Sequence, residues 1–511
     1  MARAARGLLL VALAILASLA VARGAHIVVN FSMPSEISYP NSVGVRVVRE
    51  FQAGGSIYHD FRQSPHIVAL YGPLFYAVPG MVAKLVHADE VTIHRIGRSM
   101  ALTASAGMLI LIALMLRGGG VGWSIVALMT LLYATTSVVW PVGMAFRPDA
   151  PESFFVVLGF FVYLRLGRTR WLPVAIVPFV VAFLFKQSAV IGPVAVAAHL
   201  VSEGRGKDGL RFAAAAAAGY GVACGAVNLL TGGLYLQNAY DGLRLRVTWS
   251  NLPSVVGDGF LRNNLVAIAL AVIGTVRRWA GGQRDPYSIF FGLSFAFAAV
   301  TTIRDGSADN YFLASVAVAC VIGGQELARW LGSVGEQRDA GVAVSSSTVA
   351  RAFSGEPALL ALVMMLVSLL PVAAHELIGA GELLEQLRTR DARNAEQLAY
   401  LRSTAQRLDA LGGPILCQYD PISLYTRHAY MMDLFEFSGL ADQGVFDDRP
   451  LIDMIRRRQF AAIVLLFPAS TDPTPRYQST AWVRDEWLRA IRESGYRESE
   501  DGDLYIYQPV R

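Results

Sequence analysis

The chain of 511 residues is 54% hydrophobic, only 16% charged, and carries a formal net charge of +5. A soluble globular chain is nearer a quarter charged, so an ordinary soluble protein is excluded. The apolar residues come in runs of roughly 15–22, close to the ~20 that cross ~30 Å of hydrocarbon. The basic excess lies in short loops between the runs, where it reports orientation in a lipid bilayer and not a nucleic-acid partner.

Eleven stretches are predicted to span: 7–24, 98–116, 120–140, 152–167, 171–186, 188–202, 211–231, 263–276, 285–302, 310–328 and 356–374. The first could be a cleaved signal peptide, but SLAVARGA matches a cleavage site only loosely and a retained anchor is expected. Residues 67–87 (IVALYGPLFYAVPGMVAKLVH) are apolar but hold Pro73, Pro79, Gly72, Gly80 and Lys84. Charge parity decides how to treat them. With Arg3 and Arg6 cytoplasmic and 67–87 not crossing, the clusters Arg165/Arg168/Arg170, Arg205/Lys207/Arg211, Arg277/Arg278/Arg284 and Arg329/Arg338/Arg351 all fall on the cytoplasmic side. A crossing would reverse every one of them, so 67–87 is expected to be re-entrant or juxtamembrane.

This topology predicts a multi-pass protein of the cytoplasmic (inner) membrane with a cytoplasmic N-terminus. A large first external loop, 25–97, then shares the outer face with the 232–262 loop and with several charged helix ends. Within it, VGVRVVREFQAGG reads as an amphipathic helix on the membrane surface, ending at Gly54–Gly55. AAAAAAGYG (213–221) fits a span with a close-packing face. The Gly/Ser/Ala-rich stretch 332–355 reads as a flexible cytoplasmic loop. Beyond the membrane domain 1–375, residues 376–511 alternate strand-like and helix-like text: PILCQYD (414–420), AAIVLLF (461–467) and DLYIYQPV (503–510) as strands, 449–460 and 480–496 as amphipathic helices. A small extracytoplasmic α/β domain is predicted there. No internal repeat is visible. Cys224, Cys320 and Cys417 offer neither a disulfide framework nor metal spacing.

In GMAFRPDAPESFF (143–155), Arg147, Asp149 and Glu152 sit between two apolar runs. Charges at membrane depth are costly and are commonly tied to function. By parity Asp149 faces outward. External carboxylates can deprotonate an acceptor hydroxyl or hold a divalent cation, and Arg or Lys can neutralise a phosphate leaving group. The candidate acids are Glu36, Glu50, Asp60 and Asp149; the candidate phosphate binders are Arg95, Arg98, Arg147, Lys186 and Arg304. Each has a plainer reading. Arg95, Arg98 and Lys186 could snorkel to headgroups, Asp149 could cap the following helix, Glu152 could be a first-turn charge, and Asp305 and Asp309 could cap the next span. His59 beside Asp60 is a weak metal signal, and no P-loop, dinucleotide or zinc motif is present in a convincing context.

Several segments together resemble the GT-C superfamily of membrane glycosyltransferases, in particular the group of the aminoarabinose transferase, the protein O-mannosyltransferases and the lipopolysaccharide-core galacturonosyltransferases. They are YPNS (39–42), GGSIYHDFR (54–62), YGPLFYAVPG (71–80), HRIGRSMALTASA (94–106), FRPDAPESFF (146–155), FLFKQSAV (183–190), SADNYF (307–312) and the C-terminal GVFDDRPLIDMIRRRQFAAIVL. The resemblance implies a polyprenyl-phosphate-linked sugar donor and a lipid, glycan or protein acceptor. It implies a catalytic acid in the first external loop and a second acid, which falls on Asp149. Gln187, Asn310 and Tyr311 lie in the matching segments and join the substrate-binding candidates. One departure stands out: the first-loop acid should fall near Pro40–Asn41, and Asn41 is neutral. Asp60 and Asp149 are therefore expected first as catalytic carboxylates, with Glu36 next. The expected activity is sugar transfer, with a divalent ion as a candidate aid. A transporter of lipid-linked sugars and a catalytically silent envelope scaffold are the rival readings.

Overall fold

A computed structural model describes residues 2–39, 41–339, 356–470 and 483–510. The helices run, in chain order, α1 (Ala2–Asn30), α2 (Asn41–Gln52), α3 (Pro73–Val86), α4 (Glu90–Gly118), α5 (Trp123–Thr135), α6 (Val139–Val142), α7 (Asp149–Leu166) and α8 (Ile176–Phe185). There follow α9 (Ile191–Ser202), α10 (Gly206–Leu230), α11 (Leu234–Tyr240), α12 (Arg262–Ala280), α13 (Pro286–Thr301), α14 (Leu313–Asp339), α15 (Glu356–Ile378) and α16 (Ala380–Asp409). Each of the eleven predicted stretches falls on helix. Six helical stretches are long and apolar enough to cross a membrane: Arg3–Asn30, Glu90–Gly118, Gly206–Leu230, Pro253–Ala280, Asp309–Gly332 and Pro357–Ile378. The other five predicted stretches fall on α5, α7, α8, α9 and α13, which are shorter, at 13, 18, 10, 12 and 16 residues.

The bundle core is continuous and apolar. Val316 to Ile322 of α14 are all fully buried, because this helix packs against α5, α12 and α13 at once. Phe160, Phe290, Phe260 and Phe312 fill the remaining space.

α3 packs against α2, α4 and α8. The Gly72 N–H, just before it, donates to the Phe185 carbonyl (3.1 Å). At its far end the Gln52 amide of α2 donates to the carbonyls of Ala83 (3.2 Å) and Ala88 (3.0 Å). A Cβ at Gly72 would lie 2.1 Å from the Leu184 carbonyl oxygen, so a glycine is what lets the first loop come this close to α8. The amphipathic helix predicted from VGVRVVREFQAGG is α2, whose apolar face is buried and whose exit is the positive-φ Gly54.

The C-terminal residues form a five-stranded sheet of order β2-β1-β3-β5-β4. Its strands are β1 (Ile415–Cys417), β2 (Ala429–Tyr430), β3 (Ala462–Leu465), β4 (Tyr496–Asp501) and β5 (Leu504–Pro509). β1 pairs parallel with β2 and β3, and β5 antiparallel with β3 and β4. The helices here are α17 (Asp420–Ser423), α18 (Leu434–Asp442), α19 (Arg449–Arg456) and α20 (Asp485–Glu493). The three predicted strands and both predicted helices are present, though residues 480–482 lie outside the described residues. Of the expected loop 332–355, residues 332–339 continue α14 as helix, and 340–355 lie outside the described residues.

The domain docks on the first loop. Phe61 and Val68 enter its core beside Phe437 and Leu440, and His66 pairs with Met432. The loop and the domain thus meet at the end of the bundle where Arg147 and Lys186 emerge.

Candidate functional site

Local chain geometry assembles the charges. α7 begins at Asp149, after Pro148 as N-cap. α8 stops at Phe185, and Lys186 is extended (φ −154°, ψ 137°), which turns its side chain back into the bundle. There the Lys186 ammonium donates to Asp149 Oδ1 (2.6 Å) and the Arg147 guanidinium to Asp149 Oδ2 (2.9 Å). The Asn310 amide also donates to Oδ1. With its side chain 2% exposed, Asp149 is buried and triply engaged, so it holds two cations in place and does not cap its helix. Lys186 also sits 3.9 Å from the centre of the Tyr311 ring, and the Arg304 guanidinium donates to the Tyr311 hydroxyl (3.0 Å). Arg147 reaches the first loop through the Tyr39 carbonyl (2.6 Å) and the Ser38 hydroxyl (3.1 Å). Two cationic groups therefore converge on one carboxylate, with a third on the neighbouring Tyr311 hydroxyl, next to the Glu152 carboxyl, which takes the Ser153 and Ser188 hydroxyls.

Beyond Arg147 lies a narrow cavity between the first loop and the C-terminal domain. Tyr39, Arg46, His66, Arg147, Asp433 and Glu436 supply its polar wall, and Phe75, Tyr76 and Phe146 part of its apolar one. Asp433 caps α18, accepting from the Phe435 and Glu436 N–H groups (3.0 and 3.2 Å) and from the Tyr39 hydroxyl. Asp420 accepts from Arg46 (3.3 Å), which also donates to Ser423. Glu36 accepts from the Ser42 N–H (2.9 Å) at the start of α2. Burial raises all four acids: Glu36 to about 7, Asp420 to about 8, Glu436 to about 8, and Asp433 in the same direction. The desolvation outweighs Arg46, the cation facing Glu36, Asp420 and Asp433.

The structure brings together Arg147, Asp149, Lys186, Arg304, Asn310 and Tyr311. Gln187 is adjacent, donating to the Leu70 carbonyl (3.0 Å). Glu36 lies with the acid group and not with Asp149. Asp60 accepts from Gln237 (2.6 Å) and from its own turn at Arg62 and Gln63, with no contact to the Asp149 group. Arg98 is buried, its guanidinium donating to the carbonyls of Asn30, Phe31, Met33 and Ser35 at 2.7–3.1 Å. Arg95 is exposed on the same helix. Asn41 is buried, and neither amide atom has a partner. Asp420, Asp433 and Glu436 are the residues that sequence reasoning missed; for the last two the available signal was acids within the apolar text YMMDLFEFSGL. Among the described residues no three His, Cys, Asp or Glu side chains gather as metal ligands.

No protein-family model and no curated protein matches the sequence. Solved structures do match in shape. ArnT from Cupriavidus metallidurans in the apo state superposes with a TM-score of 0.53 at 14% identity, over 96% of this chain and 97% of that one. The same protein bound to undecaprenyl phosphate gives 0.51 at 16% identity, over 95% and 96%. An Archaeoglobus fulgidus oligosaccharyltransferase tethered with an acceptor peptide gives 0.51 at 10% identity, over 97% of this chain and 74% of that one. Both proteins are GT-C glycosyltransferases. This chain has the GT-C fold. Coverage of nearly the whole ArnT chain means that the GT-C likeness includes the C-terminal domain as well as the bundle.

Proposed function

We propose that this protein transfers a sugar from a polyprenyl-phosphate carrier to an acceptor at the outer face of the cytoplasmic membrane. The observation that carries the reading is the convergence of Lys186, Arg147 and Arg304 on Asp149 and Tyr311 at one end of an apolar bundle. Such a group suits the phosphate that departs when a glycosidic bond to it breaks, since fixed cations at a developing charge need no reorganisation. Asp149 then positions the cations, and the base comes from the acids that line the cavity beyond Arg147. The bundle's apolar helices suit a prenyl chain. The fold likeness adds support, one of those ArnT structures being bound to undecaprenyl phosphate.

The test is sugar transfer by the purified chain in lipid, with a panel of polyprenyl-phosphate-linked hexoses and pentoses and an envelope extract as acceptor. Wild type is expected to transfer at least one of them. Lys186→Met is expected to lower transfer about 10²–10³-fold, as losing one preorganised donor does. Donor binding with no turnover in wild type would point to a scaffold, and movement of intact donor across the bilayer to a transporter.

A further inference from the structure

We propose that Glu436, in the C-terminal domain, is the general base that activates the acceptor hydroxyl. The inference rests on the transfer reading above. Glu436 stands at the third position of α18, after the N-cap Asp433, where a glutamate ordinarily reaches back to the cap's own N–H. It makes no such bond: the residue is 4% exposed, lines the cavity shared with Arg147, and leaves Oε1 without a partner. A buried carboxyl oxygen left unsatisfied costs stability and calls for a cause.

The neighbouring groups are otherwise engaged. Asp149 is held by Lys186, Arg147 and Asn310. Asp433 caps α18, Glu36 caps α2, and Asp420 takes Arg46. The His66 ring nitrogens face the Phe61 carbonyl (2.9 Å) and the Tyr430 hydroxyl (3.0 Å). Asn41, in the first loop, cannot take a proton. Arg46 lines both this cavity and an open cleft of about 840 Å³ between α2 and the C-terminal domain.

The step balances simply. The acceptor oxygen bonds to the anomeric carbon as its proton passes to Glu436. The bond from that carbon to the phosphate oxygen breaks, and its electron pair leaves with the polyprenyl phosphate toward Arg147 and Lys186.

The titratable and charged groups facing Glu436 are Asp433 on its own helix, Arg304, and, across the cavity, Tyr39, Arg46, His66 and Arg147. Tyr71 and Tyr76 complete the wall. Burial pushes the Glu436 carboxyl up to about 8, so the wild-type rate is expected to rise with pH until about 8.

The experiment measures transfer from undecaprenyl-phosphate-linked sugars to an envelope extract, in nanodiscs, from pH 6 to pH 9, with undecaprenyl-phosphate binding alongside. Glu436→Gln should lower the rate about 10²–10⁴-fold with binding unchanged, and its residual rate should lack the rising limb. Glu436→Asp should keep part of the rate with the limb displaced. A Glu436→Gln rate within about threefold of wild type, or an unchanged limb in Glu436→Asp, overturns the assignment while leaving transfer established. If Glu436→Gln fails to fold, the Asp variant's limb decides alone. Absence of transfer by wild type from every donor brings down both readings.

Discussion

Both ends of the bundle bury ion pairs, but they bury them differently. At the end away from the C-terminal domain, Arg278 uses its whole guanidinium: Nε to Glu326 (3.1 Å), Nη1 to Asp285 (2.9 Å) and Nη2 to Gln325 (2.9 Å). Arg329 and Arg277 complete the shell around Glu326. No buried atom of Arg278, Glu326 or Asp285 lacks a partner. At the domain end, Arg304 Nε, Asn310 Oδ1 and Glu436 Oε1 are all buried without partners. A saturated network fastens helices. An unsaturated one at the mouth of a cavity has capacity left for a ligand, which is why function is sought there.

The same substitution at the two ends should separate these roles most sharply. Arg278→Met leaves Glu326 and Asp285 short of their central partner and should cost about 3–5 kcal/mol, the penalty for breaking a buried pair from one side. Each surviving folded molecule should turn over normally. Arg304→Met removes one bond to Tyr311 and should cost only about 1 kcal/mol, yet lower transfer at least about tenfold. Thermal midpoints and rates per folded molecule check both. Equal losses of stability, with equal effects on rate, would erase the distinction.

A second comparison sets the two acid groups apart through pH. Asp149 is held by cations, whereas Glu36, Asp420, Asp433 and Glu436 are raised by burial. Free carboxyls titrate near 4 and docked Asp420 near 8. Between these values the docked state holds a proton that the undocked state has lost. Docking is therefore fully favoured below about pH 4 and loses that contribution as pH climbs through about 8. Raising pH from 6 to 8.5 should lower the protection factors of amides in α18 and in residues 31–39, beyond the base catalysis that speeds every amide, and Asp420→Asn should flatten that response. Protection that ignores pH, or rises with it, would show that Arg46 outweighs the burial.

Much of this was legible beforehand, and the gaps have physical causes. The eleven apolar stretches announce helices through composition. β1, β3 and β5 show as apolar runs, but β4 (YRESED) is an exposed edge whose charges hide it, held by its hairpin with β5. α16 was missed because most of its 30 residues are polar; its buried stripe, Leu401, Thr404, Ala405 and Leu408, is confined to the last turns. Asp149 and Lys186 stood out because a charge in apolar text is rare. Glu436 did not, since an acid in a soluble domain is ordinary until the fold sets it against the loop. Arg98 read as a phosphate binder because the four carbonyls that take its donors belong to residues 30–35, over sixty positions away.

The smallest expected effect fixes the lower end of the scale. Arg168 donates to Glu203 (3.0 Å) at the same end of the bundle as Arg278, but its side chain is 85% exposed. Water solvates both ions almost as well apart as together, and holding two long side chains in one geometry costs entropy, so such a pair is worth about 0–1 kcal/mol. Arg168→Ala should therefore leave the thermal midpoint and the transfer rate nearly unchanged at moderate salt. If it destabilised the protein as much as Arg278→Met, burial and saturation would not be what fastens this end, and the contrast with the Asp149 end would lose its physical basis.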